Sequence, residues 1–425
     1  MRARFNARVV ATGVVALTMA AGTFAAAQVP NASAAATGLS GAYIARARGY
    51  DAVAWNPANL GMPGNPSFSF SALALSASSG LDPISLSDVA PFSGKVLPSA
   101  QREEWLQAIT VKGGENGRVD GGLTAIALSA GPLAFSVSGT IAGSTKLSPD
   151  AFEALMFGNA GRTGTPKDLT LAGSTVHMGA FTTGAVSYGI GGGKEGGHHF
   201  ALGVTGKYVL GNAVAIAQDQ GSTAGANSVT VNFPAVYSRP DSDVVAGSGI
   251  GMDVGLAWSG DRLRFGAAVQ NVINTFMWDE SKLRSKTALA LFDAGTDTMS
   301  FVETPYAAAP ASLRGLVAAD KFKPVVSAGI AYELGSHATF SADGRQQVGD
   351  GIAIGPKTQV AGGLELRVIP LLRLRGGGAY LTGGWGVSGG ASLALGPVDI
   401  GVGAALRHVN GGQEPAVTIN VLSFR

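Results

Sequence analysis

The sequence predicts an all-β protein, a transmembrane antiparallel β-barrel of about fourteen strands with an N-terminal hatch inside its lumen. From Phe68 to Arg425, about fourteen segments alternate apolar with polar or small residues. Short and long connections follow one another in turn between these segments. After Gln28 no apolar run is long enough to cross a bilayer as a helix. Because only a closed sheet satisfies every strand hydrogen bond in lipid, a membrane protein without spanning helices must be a barrel.

The connections give the predicted barrel two different rims. Short joints containing Gly or Pro are predicted at 131–132, 191–197, 260–261, 335–336, 369–370 and 396–397. Long connections are predicted at about 79–119, 143–172, 211–247 and 274–322, with shorter ones near 348–357, 382–384 and 410–414. Tight turns on one rim and long loops on the other are typical of outer-membrane barrels. With an even number of strands, the barrel begins and ends on the short-turn rim, which we expect to be periplasmic.

Composition excludes several classes of protein. Of the 425 residues, 14% are charged and the net charge is +2, so the chain offers no basic surface for nucleic acid. The absence of cysteine excludes thiolate metal sites and a cysteine nucleophile. The histidines do not have the spacing of a metal site or a catalytic triad. We therefore predict that the protein is not an enzyme, holds no metal or other cofactor and has no nucleic-acid partner.

Residues 1–27 are predicted to be a secretory signal peptide. Three arginines precede an alanine-rich apolar run, and Ala25-Ala26-Ala27 offers a small-x-small cleavage site. The alternative is a transmembrane anchor, since the run approaches the length of a spanning helix. Its weak hydrophobicity and the lack of a positive stop favour the signal peptide. Export and the barrel pattern together predict the outer membrane of a Gram-negative-type bacterium, with outer-membrane lipid and the barrel-insertion machinery as partners.

Period-two alternation assigns the two faces of each strand. In segment 250–258, Ile250, Val254 and Leu256 share one face, and Asp253 and Ala257 share the other. A soluble β-sandwich would turn the apolar face inward. The signal peptide, the missing cysteines and the alternating connections favour a barrel, in which the apolar face meets lipid and the polar face lines the lumen.

The predicted lumen face is uneven along the chain. Early strands present mostly small polar residues, which are Ser136, Ser138, Thr140, His177, Thr183 and Thr205. Later strands present charges, and we predict a lattice of ion pairs formed by Asp253, Arg264, Asp343, Arg345, Glu365, Arg367, Arg373, Arg375, Asp399 and Arg407. Unpaired charges in a narrow lumen are costly, which favours such pairing. A selectivity filter for anions is the alternative. We expect any ligand path to follow the neutral, early wall.

Residues 28–65 are predicted to form the hatch, and residues 66–425 the barrel with its long extracellular loops. The hatch motif comprises Asp51, Trp55, Asn56, Pro57, Ala58 and Leu60. Pro57 lacks an amide hydrogen and holds the preceding residue extended. The side chain of Asn56 can satisfy backbone groups inside a wet lumen, while Trp55 and Leu60 can pack against the inner wall. Both a fixed plug and a gate that moves with ligand remain open.

The stretch 51–60, Asp-Ala-Val-Ala-Trp-Asn-Pro-Ala-Asn-Leu, resembles the signature of the outer-membrane long-chain fatty-acid transporter (FadL-type) superfamily. Segments 251–256 and 263–271 resemble its mid-barrel hairpin, and segments 81–109 and 147–159 are most similar to loops of an uncharacterised PorV-like group. The resemblance implies a fourteen-stranded barrel with an N-terminal hatch, passing hydrophobic, fatty-acid-like molecules by passive diffusion. The alternative that it implies is a closed barrel that binds or assembles secreted proteins, with a type IX secretion system as partner.

Apolar residues in the outer loops predict local structure there. Segment 101–109 is predicted to be a short amphipathic helix, and Ser148 is predicted to cap a second helix with Pro149 at its first position. In the fourth long loop we predict an apolar groove for a hydrophobic ligand, formed by Phe276, Met277, Trp278, Phe292 and Phe301. The alternative is that these side chains pack the loops together.

Overall fold

The computed structural model describes residues 32–424 except positions 159, 166, 194–196, 226–227, 240–244, 294–295 and 353–354, and it describes the backbone alone at positions 229 and 288–301. The predicted signal peptide, 1–27, lies outside the described residues.

Fourteen antiparallel strands close into a barrel, as predicted. In chain order they are β1 Phe68–Asp82, β2 Glu115–Ala130, β3 Leu133–Leu147, β4 Thr175–Gly193, β5 His199–Gln218, β6 Gly247–Gly260, β7 Leu263–Asn274, β8 Val325–Leu334, β9 Ala338–Gln347, β10 Thr358–Ile369, β11 Leu372–Leu381, β12 Gly384–Leu395, β13 Val398–Val409 and β14 Gly412–Phe424. Each strand pairs with the next in sequence. The barrel closes where β14 pairs with β1, with Phe424 opposite Phe70.

The two rims also agree with the predicted connections. The turns that follow β2, β6 and β8 are tight, and each contains a residue with positive φ: Gly131, Asp261 and Gly335 respectively. Such conformations are the reason that glycine and short polar residues mark these joints. Because β14 ends beside the start of β1, the barrel begins and ends on the short-turn rim.

The faces of the strands follow the predicted alternation. On β6, Ile250 and Leu256 are 57% and 43% exposed, whereas Asp253 and Ala257 are 3% and 1% exposed. The same contrast holds on β10, where Val360 and Leu364 are exposed and Ala361 is buried. An apolar exterior around a polar, buried interior is the arrangement of a barrel in lipid, and it excludes the soluble sandwich.

The described α-helices are short and belong to the N-terminal segment and the outer loops. They are α1 Ala34–Gly38, α2 Ala52–Trp55, α3 Leu86–Val89, α4 Ser99–Lys112, α5 Pro149–Phe157 and α6 Ala311–Ala319. The predicted cap of α5 is present, because Ser148 Oγ accepts a hydrogen bond from the Ala151 amide at 3.3 Å. None of the helices in the described residues has the length and apolar character needed to cross a membrane.

The third and fourth long loops contain strands that the sequence did not predict. Ser228–Ser238, Leu283–Asp293 and Thr296–Pro305 pair antiparallel, and Ser228–Ser238 also pairs with residues 215–217 at the end of β5, so this sheet extends the wall. Segment 283–293 begins Leu-Arg-Ser-Lys-Thr, without the clean alternation that a lipid-facing strand needs. Since these strands belong to the long loops, no lipid face imposes that alternation on them.

Candidate functional site

Residues 32–65, termed here the lumen segment, cross the interior of the barrel. At one end, α1 packs against β12 and β13. At the other end, the 3₁₀ turn Pro57–Gly61 packs against β4, β5 and β6. Since these two groups of strands are separated along the sheet in both directions, the segment spans the lumen between them. The predicted hatch residues are therefore inside the barrel.

The Asn56–Pro57 step has the predicted conformation. Asn56 is extended, with φ −154° and ψ 103°, and Pro57 is the first residue of the 3₁₀ turn. The Asn56 side chain accepts a hydrogen bond from the Ala58 amide at 3.1 Å. Its Nδ2 atom donates to the carbonyl oxygen of Leu256 on β6 at 3.0 Å. One side chain thus caps the turn and joins it to the wall.

The other motif residues stabilise the lumen segment and attach it to the wall. Asp51 is fully buried and accepts a hydrogen bond from the Tyr43 hydroxyl at 2.9 Å. The half-buried ring of Trp55 meets the Tyr43 ring edge-on, with centroids 5.4 Å apart. Leu60 and Ala58 are buried in two separate apolar clusters, whose wall members are Ala134 and Ala185 for Leu60 and Ala201 and Ala257 for Ala58.

Two acids of the predicted lattice, Asp343 and Glu365, bind the lumen segment. Asp343 on β9 accepts the backbone amides of Tyr43 and Ile44 at 2.5 and 2.6 Å. Glu365 on β10 accepts Arg46 of the lumen segment at 2.6 Å and also Arg375 of β11 at 2.6 Å. The sequence separation of about 300 residues gave no signal of these contacts.

Four of the remaining predicted lattice residues, Asp253, Arg264, Arg373 and Asp399, form ion pairs. These join Lys207 to Asp253 at 2.6 Å, Arg264 to Glu333 at 2.6 Å and Arg373 to Asp399 at 3.2 Å. Arg367 lies opposite Arg373 in the β10–β11 ladder and is exposed. Arg345 and Arg407 both line a cavity. The three ion pairs share no residue with one another.

Two cavities lie between the lumen segment and the wall. The larger, of about 1270 Å³ including its opening, is lined by Ile44 and Trp55 of the lumen segment and by charged wall residues, among them Asp120, Arg345 and Arg407. Its position on the charged side runs against the prediction that space for a ligand lies along the early wall.

The smaller cavity, of about 620 Å³ including its opening, does lie against the early wall. Its polar floor includes Ser136, Ser138 and Thr183 and the Lys207–Asp253 pair. Val53 and Ala54 of the lumen segment close one side, and Phe322 and Ile352 of the outer loops form an apolar end. Arg345, which also borders the larger cavity, and Lys323 complete its charged lining. The cavity therefore joins the polar face of the early strands to the loops.

The predicted loop groove is a packed aromatic core instead. Phe276 and Trp278 are 1% and 6% exposed, and their rings pack with Phe181 and Phe322 at centroid distances of 5.0 to 5.6 Å. Trp278 Nε1 donates to Asp320 at 2.8 Å. Only Met277, 60% exposed, remains open among the predicted groove residues with described side chains. The side chains of Phe292 and Phe301 lie outside the described residues.

The wall is irregular where β7 leaves β8, beside the smaller cavity. The β7–β8 ladder ends at Gln270 and Val325, whereas β7 continues to pair with β6 after a bulge. Within that bulge Asn271 has φ 54°, accepts Lys207 Nζ at 2.7 Å and donates to the Lys323 carbonyl at 3.3 Å. We call residues 271–274 and 323–324 the seam. One weak signal of it is visible in the sequence, an asparagine inside an alternating strand.

Comparisons with known proteins identify the fold. The Ralstonia pickettii toluene transporter TbuX superimposes with a TM-score of 0.52 at 14% identity, covering 93% of this chain and 99% of that one. A Pseudomonas aeruginosa FadL homologue gives a TM-score of 0.51 at 12% identity, covering 94% and 99%. The chain has the FadL-type fold. A TodX mutant described as a monoaromatic hydrocarbon channel has the same fold, with a TM-score of 0.52 at 11% identity, covering 93% and 99%.

By their names, TbuX is a toluene transporter and the TodX mutant is a monoaromatic hydrocarbon channel. No protein-family model matches the chain, and no curated protein matches it. The similarity to a PorV-like group therefore stays a prediction. At such low identity the FadL-type likeness shows the fold, while the cargo must be argued from the site.

Proposed function

We propose that the protein admits hydrophobic small molecules across the outer membrane by passive diffusion, with the lumen segment acting as its hatch. The observation that carries this proposal is the smaller cavity, which lies between the aromatic loop core and the seam in a barrel of FadL-type fold. A cavity that is enclosed by apolar residues at one end and small polar groups at the other suits a small, weakly polar ligand.

The proposed route enters at the outer loops and leaves at the seam. Phe322 belongs to the aromatic core and also lines the cavity, so the core and the cavity share a wall. At the other side, the cavity is lined by Asn271 and Lys323 of the seam. Val272 and Ile273, which follow in β7, are 44% and 50% exposed on the barrel surface. A hydrophobic molecule passing this point would meet lipid rather than water.

The cargo that fits this route is small and uncharged or carries a single polar group. TbuX is named a toluene transporter and TodX a monoaromatic hydrocarbon channel. We propose monoaromatic hydrocarbons and fatty-acid-like molecules as the two classes to compare. The buried Lys207–Asp253 pair, with side chains 9% and 5% exposed, neutralises its own charges, whereas Arg345 and Lys323 also line the cavity. The measured uptake of each class therefore decides between the hydrocarbon and the fatty-acid-like molecule.

Uptake by whole cells tests the proposal. Bacteria lacking their own hydrocarbon porins would express this chain or carry an empty vector, and the initial uptake of radiolabelled toluene and oleate would be measured. We expect the chain to raise toluene uptake above that of the empty vector, because the cavity offers an apolar solute a route through the barrel. Equal uptake with and without the chain, at equal surface expression, would contradict the proposal.

A second candidate is a closed barrel that assembles or binds secreted proteins. The observation that favours it is the extensive packing of the lumen segment, which contacts strands on both sides of the lumen. Under this function the same uptake assay gives no signal, and a secreted protein co-purifies with the barrel from the outer membrane in amounts that depend on the outer loops. The barrel-insertion machinery is expected as a partner under both functions.

A further inference from the structure

We infer that inward-facing glycines of the wall fix the motif turn of the lumen segment as a permanent anchor, so that solute passes while this turn stays docked. The passage of solute rests on the proposed function. The anchoring of the turn rests on the packing of residues 56–61. It decides between the two alternatives that the sequence left open, a fixed plug and a moving gate, for the motif end of the segment.

Two close approaches are at Gly203 on β5 and Gly255 on β6. A Cβ atom added at Gly203 would lie 2.2 Å from the Ala58 amide nitrogen and 2.2 Å from the Pro57 carbonyl carbon, and these backbone atoms cannot move out of the way as a flexible side chain can. One added at Gly255 would lie 2.1 Å from Asn56 Oδ1 and 3.0 Å from the Pro57 ring. The Asn56 side chain is held there by its hydrogen bond to Leu256. Both wall positions therefore favour glycine while the turn is docked.

Neighbouring strands extend this contact. A Cβ at Gly189 would lie 2.5 Å from the Pro57 carbonyl oxygen, and one at Gly191 would lie 2.0 Å from the Gly61 carbonyl oxygen, both on β4. On β7, a Cβ at Gly266 would lie 2.9 Å from the Ile44 carbonyl oxygen. Three adjacent strands, β4 to β6, thus present bare backbone to the motif turn, and β7 presents Gly266 to Ile44 of the same lumen segment. Wall side chains at these positions would prevent so close a contact.

The Asn56 side chain depends on the docked position for one of its partners. Asn56 is 0% exposed and donates to the Leu256 carbonyl of the wall. Asn59 is 1% exposed and donates to the Ile44 carbonyl at 2.9 Å, a bond inside the lumen segment that holds the turn in shape. A buried amide that loses its partner retains the cost of its desolvation. Displacing the turn as a gate would break the bond from Asn56 to the wall, whereas both cavities lie beside the segment and leave it intact.

The chain supplies matched controls on the same strands. A Cβ added at Gly206 on β5 or at Gly184 on β4 would meet no atom within 4 Å, and neither glycine has positive φ. Gly206→Ala therefore adds the same methyl group to the same strand as Gly203→Ala, without touching the lumen segment. A difference between the two variants reports on docking rather than on strand propensity.

Thiol labelling tests the docking directly. The chain has no cysteine, so Ala58→Cys introduces a single thiol at a position that is 0% exposed. In folded protein carrying Ala58→Cys, we expect Gly203→Ala to raise the rate of maleimide labelling by at least about tenfold, because overpacking displaces the turn. Gly206→Ala should leave the rate unchanged. Equal rates in the two glycine variants would overturn the inference.

A reversible crosslink tests whether the anchor stays in place during passage. Ala58 and Ala257 pack in one cluster, so Ala58→Cys with Ala257→Cys can be joined by a disulfide in glycine-intact protein. We expect toluene uptake to be equal in the oxidised and reduced forms. Uptake that is lost on oxidation and restored by reduction would overturn the inference. Absence of uptake by the wild type would overturn the proposed function instead, and the labelling rates would still decide whether the glycines dock the turn.

Discussion

The side-chain amide of Asn56 donates to the carbonyl oxygen of Leu256 at 3.0 Å, and this bond joins the motif turn to the middle of β6. A backbone carbonyl within a sheet normally bonds the neighbouring strand. Here the wall offers a carbonyl to the lumen segment directly beside Gly255, where no side chain intervenes. The motif therefore acts as an attachment to the wall as well as a turn.

Replacing Asn56 with alanine should loosen this attachment. The change removes the donor to Leu256 and the acceptor for the Ala58 amide, both in a buried setting. We expect the free energy of unfolding to fall by about 1–3 kcal/mol, because a buried polar group is left without its partner. Urea unfolding in detergent measures it. Gln101→Ala, on the surface of α4, is the control and should change little.

Asp343 should prove necessary for the shape of the lumen segment at Tyr43. Asp343→Ala leaves the Tyr43 and Ile44 amides without their common acceptor, and we expect a loss of about 2 kcal/mol in unfolding free energy. Asp343→Asn keeps one acceptor oxygen and should lose less than half of that. If the two variants are equally unstable, the negative charge of Asp343 matters and its hydrogen bonds to the amides do not explain its role.

Replacing Glu365 should lower the stability of the protein more than replacing an exposed acid does. Glu365→Gln removes the charge that Arg46 and Arg375 share in the lumen. Breaking a buried ion pair on one side costs about 3–5 kcal/mol, because the partner charges remain buried. Glu103→Gln is the matched control, since Glu103 pairs with Arg162 on the loop surface, and unfolding there should be unchanged. Equal unfolding curves for the two variants would contradict the anchoring role of Glu365.

Filling one cavity should block the proposed route, and filling the other should not. Ser138 lines the smaller cavity and Ala379 lines the larger one. We expect Ser138→Trp to lower toluene uptake by about tenfold, because an indole that projects from the wall into the cavity narrows the passage for a ring-sized solute. Ala379→Trp should keep uptake within about twofold of wild type. The reverse order would move the route to the charged side of the barrel.

Most of the barrel could be predicted from the sequence. Lipid on one side of each strand and the lumen on the other impose a strict alternation of apolar and polar residues. The turns could be predicted as well, since positions such as Gly131 and Gly335 need positive φ. The loop strands could not, because nothing outside the membrane enforces alternation on Leu283–Asp293. For Phe276 and Trp278 the sequence left two alternatives open, a groove for a ligand and a packed core of the loops. Several aromatic residues in one loop are compatible with both.

Sequence reasoning predicted which residues belong to the site better than it predicted which residues they contact. The motif residues lie inside the barrel, yet the partners of Asp343 and Glu365 depend on how the lumen segment crosses the lumen. The docking glycines were visible only as an excess of glycine. Inward-facing glycines such as Gly203, Gly255 and Gly266, at one level of successive strands, were the signal that could have located the docked turn before its structure was known.

The most direct measurement is the initial rate of toluene entry into vesicles with a lipopolysaccharide outer leaflet, containing purified wild-type protein, the Ser138→Trp variant or no protein. If the smaller cavity is the passage, wild-type protein raises the rate of toluene entry by about tenfold. The Ser138→Trp variant then returns this rate to that of protein-free vesicles. A wild-type rate equal to that of protein-free vesicles would contradict transport. A wild-type rate matched by Ser138→Trp would contradict the route.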